Sequence, residues 1–300
     1  MKTALALLVG LSAGVSSAAH ADSKAWSTGK AVIGPNATMV GGVSATSVRS
    51  SEVYDKLVPL LMAKATDFKT ALDSIQKECK LDVLAAIDSI AFGVDDNKAG
   101  TVVIALKGTN HKAIDTCAQK LGKADNKPVT ITTEGKLTKY EGMSDKPMYF
   151  AWLASDVLAI STTPDDKDVT KKLLVGGVMS STDLKTGLAA TDKNASAWFV
   201  YKEDHDLPNM GGKMKQIYGS AKITNKKIDF TSHMITDSPK AAQAFTDEAN
   251  KQLAAIQSGG SQAMQTALKN VNVKLDNGMV AASGSITSDD VFPLLMSVMM

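Results

Sequence analysis

Residues 109–121 read TNHKAIDTCAQKL, and residues 237–253 read DSPKAAQAFTDEANKQL. Each follows an alternating apolar run, opens with a polar capping residue and Lys-Ala, and continues with apolar residues at helical spacing. The two stretches predict one unit written twice: strand, capped start, amphipathic helix. Setting Lys112 on Lys240 gives an offset of about 128 residues, at which Val102 meets Phe230, Leu106 meets Met234 and Cys117 meets Phe245. Upstream, NATMVGGV at 36–43 resembles NASAWFVY at 194–201, at an offset of about 158. Downstream, STTPDDKDVTKKLL at 161–174 resembles SITSDDVFPLLM at 285–296, at an offset of about 122–124.

The order of these matches predicts a diverged tandem duplication. The competing reading is two unrelated α+β segments of similar rhythm. The fall in offset places about 30 extra residues in the first half, as a helical segment over about 48–85. The second half is expected to hold only a short helix near 209–218 in its place. Ile90, Phe92 and Val94 alternate, Asp96-Asn97 and Gly100 turn the chain, and Val102, Ile104 and Leu106 alternate back as a hairpin. Short strands fill 129–161, broken at Glu134-Gly135, Gly142 and Ser155-Asp156. Pro239 follows a Ser238 cap, and Ala242, Phe245, Ala249, Leu253 and Ile256 make one helical face.

The expected fold class is α+β: a mainly antiparallel sheet with helices on one face. The expected division is a leader over 1–21, a first repeat over 22–178 and a second over 179–300, joined near Gly176-Gly177. The two repeats are expected to pair edge to edge in one continuous sheet, which would protect strand edges.

The N-terminus predicts export. Lys2 is a positive n-region, Ala4–Val15 is a short apolar core, and Ala19-His20-Ala21 is a small-x-small cleavage pattern, so the mature chain is expected to begin at Asp22. No Cys stands near that site to take a lipid anchor, and no later stretch is apolar enough for a transmembrane span. Removing 1–21 takes away one Lys and no acid, so the formal charge of +2 becomes +1. Arg49 is the only Arg; every other basic residue is Lys. That balance argues against a nucleic-acid partner, and the lack of Arg argues against bidentate phosphate grips.

Cys79 and Cys117 are the only cysteines. Cys79 shares a helical face with Phe68, Leu72 and Ile75; Cys117 shares one with Ala113, Ile114 and Leu121. In an exported chain that placement predicts a disulfide stapling the extra helices to the repeat helix. Without a C-x-x-C pair, redox catalysis is disfavoured.

Chemistry-bearing residues are sparse. The mature chain offers His111, His205 and His233, with no G-x-S-x-G, and all three read as surface or loop histidines. His205, Met210 and Met214 have a soft donor set for Cu(I), but Met210, Met214, Ile217 and Tyr218 also trace an apolar helical face, the reading adopted here. Glu203, Asp204 and Asp206 lack the spacing of a calcium loop. The closing PLLMSVMM, with Val291, Leu294, Leu295 and Val298 on one face, is expected to dock as a helix on the sheet. Its functional alternative is a greasy groove for an acyl chain or a partner's helix. Asn36 and Asn194 head N-x-[ST] sequons that matter only in a eukaryotic secretory route. No cofactor or metal is expected. The expected function is non-catalytic binding of a protein partner or an apolar small molecule outside the cytoplasm. The alternative is an exported hydrolase assembled from scattered Ser, His and Asp.

Overall fold

Runs of alternating residues become strands wherever a turn residue lets the chain reverse. A computed structural model describes residues 22–97, 99–168, 177–207 and 211–291. They fall into two compact units, one of residues 22–46 with 58–181 and one of residues 47–57 with the chain from Thr182 onward. Every strand pair described below is antiparallel, and the fold is α+β.

The first unit opens with α1 (Lys24–Gly29), capped by the Ser23 hydroxyl, and β1 (Met39–Ser44). Helices α2 (Ala45–Arg49) and α3 (Glu52–Lys64) follow, their residues 47–57 belonging to the second unit, then α4 (Thr66–Cys79) and the short α5 (Val83–Ala86). Strands β2 (Ile87–Val94) and β3 (Gly100–Leu106) form the hairpin, whose turn is organised by Asp95: its carboxylate accepts the N–H groups of Asn97 and Ala99, each at 2.9 Å. After α6 (His111–Ala124) come β4 (Thr130–Glu134), β5 (Leu137–Glu141), β6 (Met148–Ala154) and β7 (Val157–Ser161). Within the unit the strands lie in the order β1-β2-β3-β7-β6-β5-β4.

The second unit places α7 (Lys185–Ala190) before a meander of β8 (Ala197–Leu207), β9 (Gly212–Ile223) and β10 (Lys227–Thr236). Helices α8 (Pro239–Gly259) and α9 (Gln262–Leu268) lead to β11 (Asn272–Asp276) and β12 (Met279–Thr287), in the order β8-β9-β10-β12-β11. Asn277 and Gly278 join the last two strands with positive φ angles of 50° and 78°, the geometry an Asn-Gly hairpin turn requires. At the α8 start, the Ser238 hydroxyl accepts the Ala241 N–H at 3.2 Å, and Pro239 occupies the first turn. The inner face of α8 buries Ala242 against Met234, Val273 and Val280, with Phe245 and Ala249 packed alongside.

Two expectations are corrected. Residues 212–218 are not helical; they belong to β9, paired with β8 and β10 along most of its length. Met214 and Ile217 do pack together under α8, but on a strand whose register shifts between them and not on a helix. Gln216, Tyr218 and Ser220 are buried on one side of the strand, while Ile217 packs under α8 on the other. The period is two, and the apolar coincidence at three and four residues misled the helical reading. Nor do the helices keep to one face. A Cβ at Gly187 of α7 would meet Val200 and Gln216, on the side of the second unit's sheet opposite α8. In the first unit α1 lies on one side, where a Cβ at Gly29 would stand 2.8 Å from Val103, and α6 lies on the other, where His111 stacks on Trp152. Sheets with apolar side chains on both faces need cover on both.

Cys79, the last residue of α4, is bonded to Cys117 of α6 with a Cα–Cα distance of 5.2 Å. No helix among the described residues is long and apolar enough to cross a membrane. The segment 292–300, with all of PLLMSVMM, lies outside the described residues, as do the proposed leader over 1–21, Met210 and Gly176. Val291 itself packs on Phe230, Ala267 and Ile286.

Candidate functional site

The two faces of the first unit's sheet have opposite compositions. One is buried and made mostly of small residues: Ser89, Ala91, Gly93, Thr101, Ala105 and Ala159, with Val103 and Val157 among them. Close approach explains the choice, because α1 and the segment after it press directly on these strands. A Cβ at Gly93 would come within 2.2 Å of Ile33 Cγ2, and the Ser89 hydroxyl accepts the Ala25 N–H at 3.2 Å.

The other face carries the large apolar residues, and they are less covered. Cross-strand register aligns Phe92 with Val102, Val102 with Ile160, and Ile160 with Phe150, so one row of four crosses β2, β3, β7 and β6. Ile90, Ile104 and Leu158 form the next row. None of these seven side chains is buried; each is recessed and half-covered. Bulky aliphatic and aromatic groups normally gain most from full burial, about 25 cal/mol per Å² of apolar surface. Here seven large apolar residues lie on the less covered face.

One end of that face is closed by a polar network under α6. His111 stacks on Trp152 with ring centroids 4.3 Å apart, and its Nε2 lies 3.3 Å from Asp115 and 3.4 Å from the Thr138 hydroxyl. The Tyr140 hydroxyl donates to Asp115 at 2.6 Å. Burial, reinforced by the hydrogen bond and charge of Asp115, pushes the Tyr140 phenol well above its ordinary pKa. This is not a nucleophile relay. Asp115 and Thr138 both address the same imidazole nitrogen, whereas a relay uses both, and Thr138 is fully buried. The network anchors α6 to β5 and β6.

The other histidines stand apart. His205 is exposed on β8. Asp204 and Asp206 on the same strand pair with lysines, Asp204 with Lys215 at 2.9 Å and Asp206 with Lys213 at 3.6 Å, so the run is an ion-paired ribbon. No group of three or more His, Cys, Asp or Glu among the described residues is placed to hold a metal ion. His233 is half-buried on β10 and stacks on Tyr218, ring centroids 5.1 Å apart. Burial pushes its imidazole pKa down; Asp276 opposes that shift and Lys274 adds to it.

That shift has a pH consequence. A base depressed in the folded state binds its proton more readily when unfolded, so its contribution to stability is lost as pH falls from about 6.5 toward the folded pKa. Between pH 7 and 5 the second unit is expected to lose stability, and His233→Gln to flatten part of the slope. Denaturation midpoints across that range check it; an unchanged slope in the variant would remove His233 from the account.

No family model matches the chain, and no curated protein matches its sequence. Among solved structures it is similar to crystal form I of TP0453, with a TM-score of 0.53 at 10% identity, covering 93% of this chain and 98% of that one. Crystal form III of TP0453 gives a TM-score of 0.52 at 9% identity, covering 93% and 99%. The likeness is one of fold across nearly the whole of both chains.

Proposed function

We propose that this is a non-catalytic, extracytoplasmic binding protein that holds a slender apolar ligand, such as an acyl chain, against the large-residue face of its first sheet. The observation that carries the reading is the row Phe92, Val102, Ile160 and Phe150, apolar and half-covered, opposite a buried face of mostly small residues. Recession favours a thin ligand over a protein partner. A protein partner needs large apolar groups standing clear of the surface, and those that do, such as Phe68, Met143 and Leu275, are scattered along the chain. The leader-like N-terminus and the Cys79–Cys117 bond support a location outside the cytoplasm.

Organic extraction of protein purified without detergent, followed by mass spectrometry, is expected to release an apolar small molecule. The stripped protein is expected to take up a fluorescent fatty acid. Ile104→Asn and Ile160→Asn, which place an amide on the half-covered face, are expected to weaken that uptake about tenfold or more while preserving the near-ultraviolet spectrum. Clean extracts together with no uptake of the probe would end the proposal.

A further inference from the structure

A second concavity in the first unit has the opposite chemistry. The end of α4 and the first turns of α6 enclose a cleft of about 460 Å³, large enough for a small organic ligand. Lys80 stands on one side, and Lys112 and Lys120 stand two turns apart on α6. The remaining lining residues are uncharged, and the Cys79–Cys117 bond forms part of the wall. Some lysines elsewhere meet carboxylates, as at Lys56–Asp289, Lys146–Asp165 and Lys215–Asp204, and others do not; among the described residues, no carboxylate pairs with the three in the cleft. Glu78 and Asp82 flank Lys80 in the chain, but Glu78 pairs with Lys77, Asp82 caps α5, and neither lines the cleft.

Three like charges on one concave surface focus the field there and raise the local concentration of anions. Lys80 also occupies the left-handed position that ends α4, with φ of 57°, where Gly or Asn would be cheaper. The lysine there places an ammonium at the cleft despite that cost. We propose that the cleft binds a small polyanion bearing two or more phosphate-like charges, gripped by Lys80, Lys112 and Lys120. The disulfide holds the α4 and α6 walls at the spacing the ligand needs. The site is separate from the apolar-ligand reading and does not depend on it.

The test uses the full mature chain with pyrophosphate as probe, titrated calorimetrically at low and physiological salt. Saturation at one per chain is expected, with affinity falling as salt screens the lysines over about 8 Å. Because the three side chains are exposed, Lys80→Gln/Lys112→Gln/Lys120→Gln should fold normally and lose about tenfold or more in affinity. The control Lys240→Gln/Lys251→Gln/Lys269→Gln carries the same charge change in the second unit and should stay within about twofold. Reduction of the disulfide should weaken binding in the parent protein. Sedimentation with phosphatidylglycerol vesicles, against phosphatidylcholine, separates the sources of the anion. Vesicle binding lost in the first triple variant but not the second would assign a lipid headgroup, and pyrophosphate binding a soluble ligand. No binding to either probe, or an equal loss in both triple variants, overturns the proposal.

Discussion

Phe230→Ala is expected to cost the second unit about 3–5 kcal/mol and to lower its unfolding midpoint by roughly 10 °C. The ring is 2% exposed and packs on Ala267, Ile286 and Val291, with Val53, Ile228, Met264 and Val271 around them. Truncation removes the transfer free energy of the ring and leaves a cavity that β-sheet backbone cannot collapse to fill. The fit is tight on its far side as well. Phe230 faces Gly284 across β10 and β12, and a Cβ there would stand 2.6 Å from the ring. Gly284→Ala should therefore also destabilise, by about 1–3 kcal/mol through overpacking. Val53 belongs to the start of α3, where the Glu52 N–H donates to the Asn225 carbonyl at 2.9 Å and the Ser288 hydroxyl donates to the Glu52 carboxylate at 3.1 Å. These contacts are why residues 47–57 pack with a unit more than a hundred residues downstream in sequence. The truncation should thus loosen α3 at its first turn, visible as faster amide exchange at 53–56. A loss under about 1 kcal/mol would show that this cluster is not the unit's core.

The residues paired in the repeat reading can be placed on the elements of the two units. Residues 36–43 and 194–201 run into β1 and β8, the first strand of each; Val102 and Phe230 lie on the third; Cys117 and Phe245 lie on the helix that follows. In each unit the last strand then returns to pair with the third, β7 with β3 and β12 with β10. Beyond the third strand the units differ, with seven described strands in the first and five in the second, so the duplicated origin stays a proposal from the sequence. Strand alternation and helix caps were legible because they are local. The open apolar face was half legible. Ser89, Ala91 and Gly93 alternate with Ile90, Phe92 and Val94, which shows two unlike faces but not which one the chain would cover. Coverage depends on the approach of α1 and Ile33, a long-range fact. The β9 misreading has the same root: a run such as MGGKMKQIY fits both periods, and only pairing with β8 and β10 decides between them. The lysine cleft was invisible, since Lys80 and Lys112 are brought together by the bond between α4 and α6.

Protein recovered without reductant is expected to show no free thiols, and opening the Cys79–Cys117 bond is expected to release α4 before anything else. The bond closes a separation of 38 residues, for which the chain-entropy model gives about 4 kcal/mol. That figure is an upper value here, because β2 and β3 lie inside the loop and are already fixed by their neighbours in the sheet. Helix α4 is held differently. It buries no residue, leaves Phe68 51% exposed, and packs mainly on α6, the helix to which the sulfur tethers it. With the tether cut, a helix of 14 residues without a buried face has little to keep it folded, since isolated helices of that length are marginal in water. Cys79→Ala/Cys117→Ala should therefore lose about 2–4 kcal/mol in the first unit. Hydrogen exchange resolves where the loss falls. Amides of 66–79 should lose protection to near the unfolded rate, those of β2 and β3 should keep most of theirs, and the second unit should not change. Two titratable thiols in protein taken from outside the cytoplasm would sink the bond. Unaltered protection of α4 in the double variant would show instead that packing, and not the sulfur bridge, holds the helix in place.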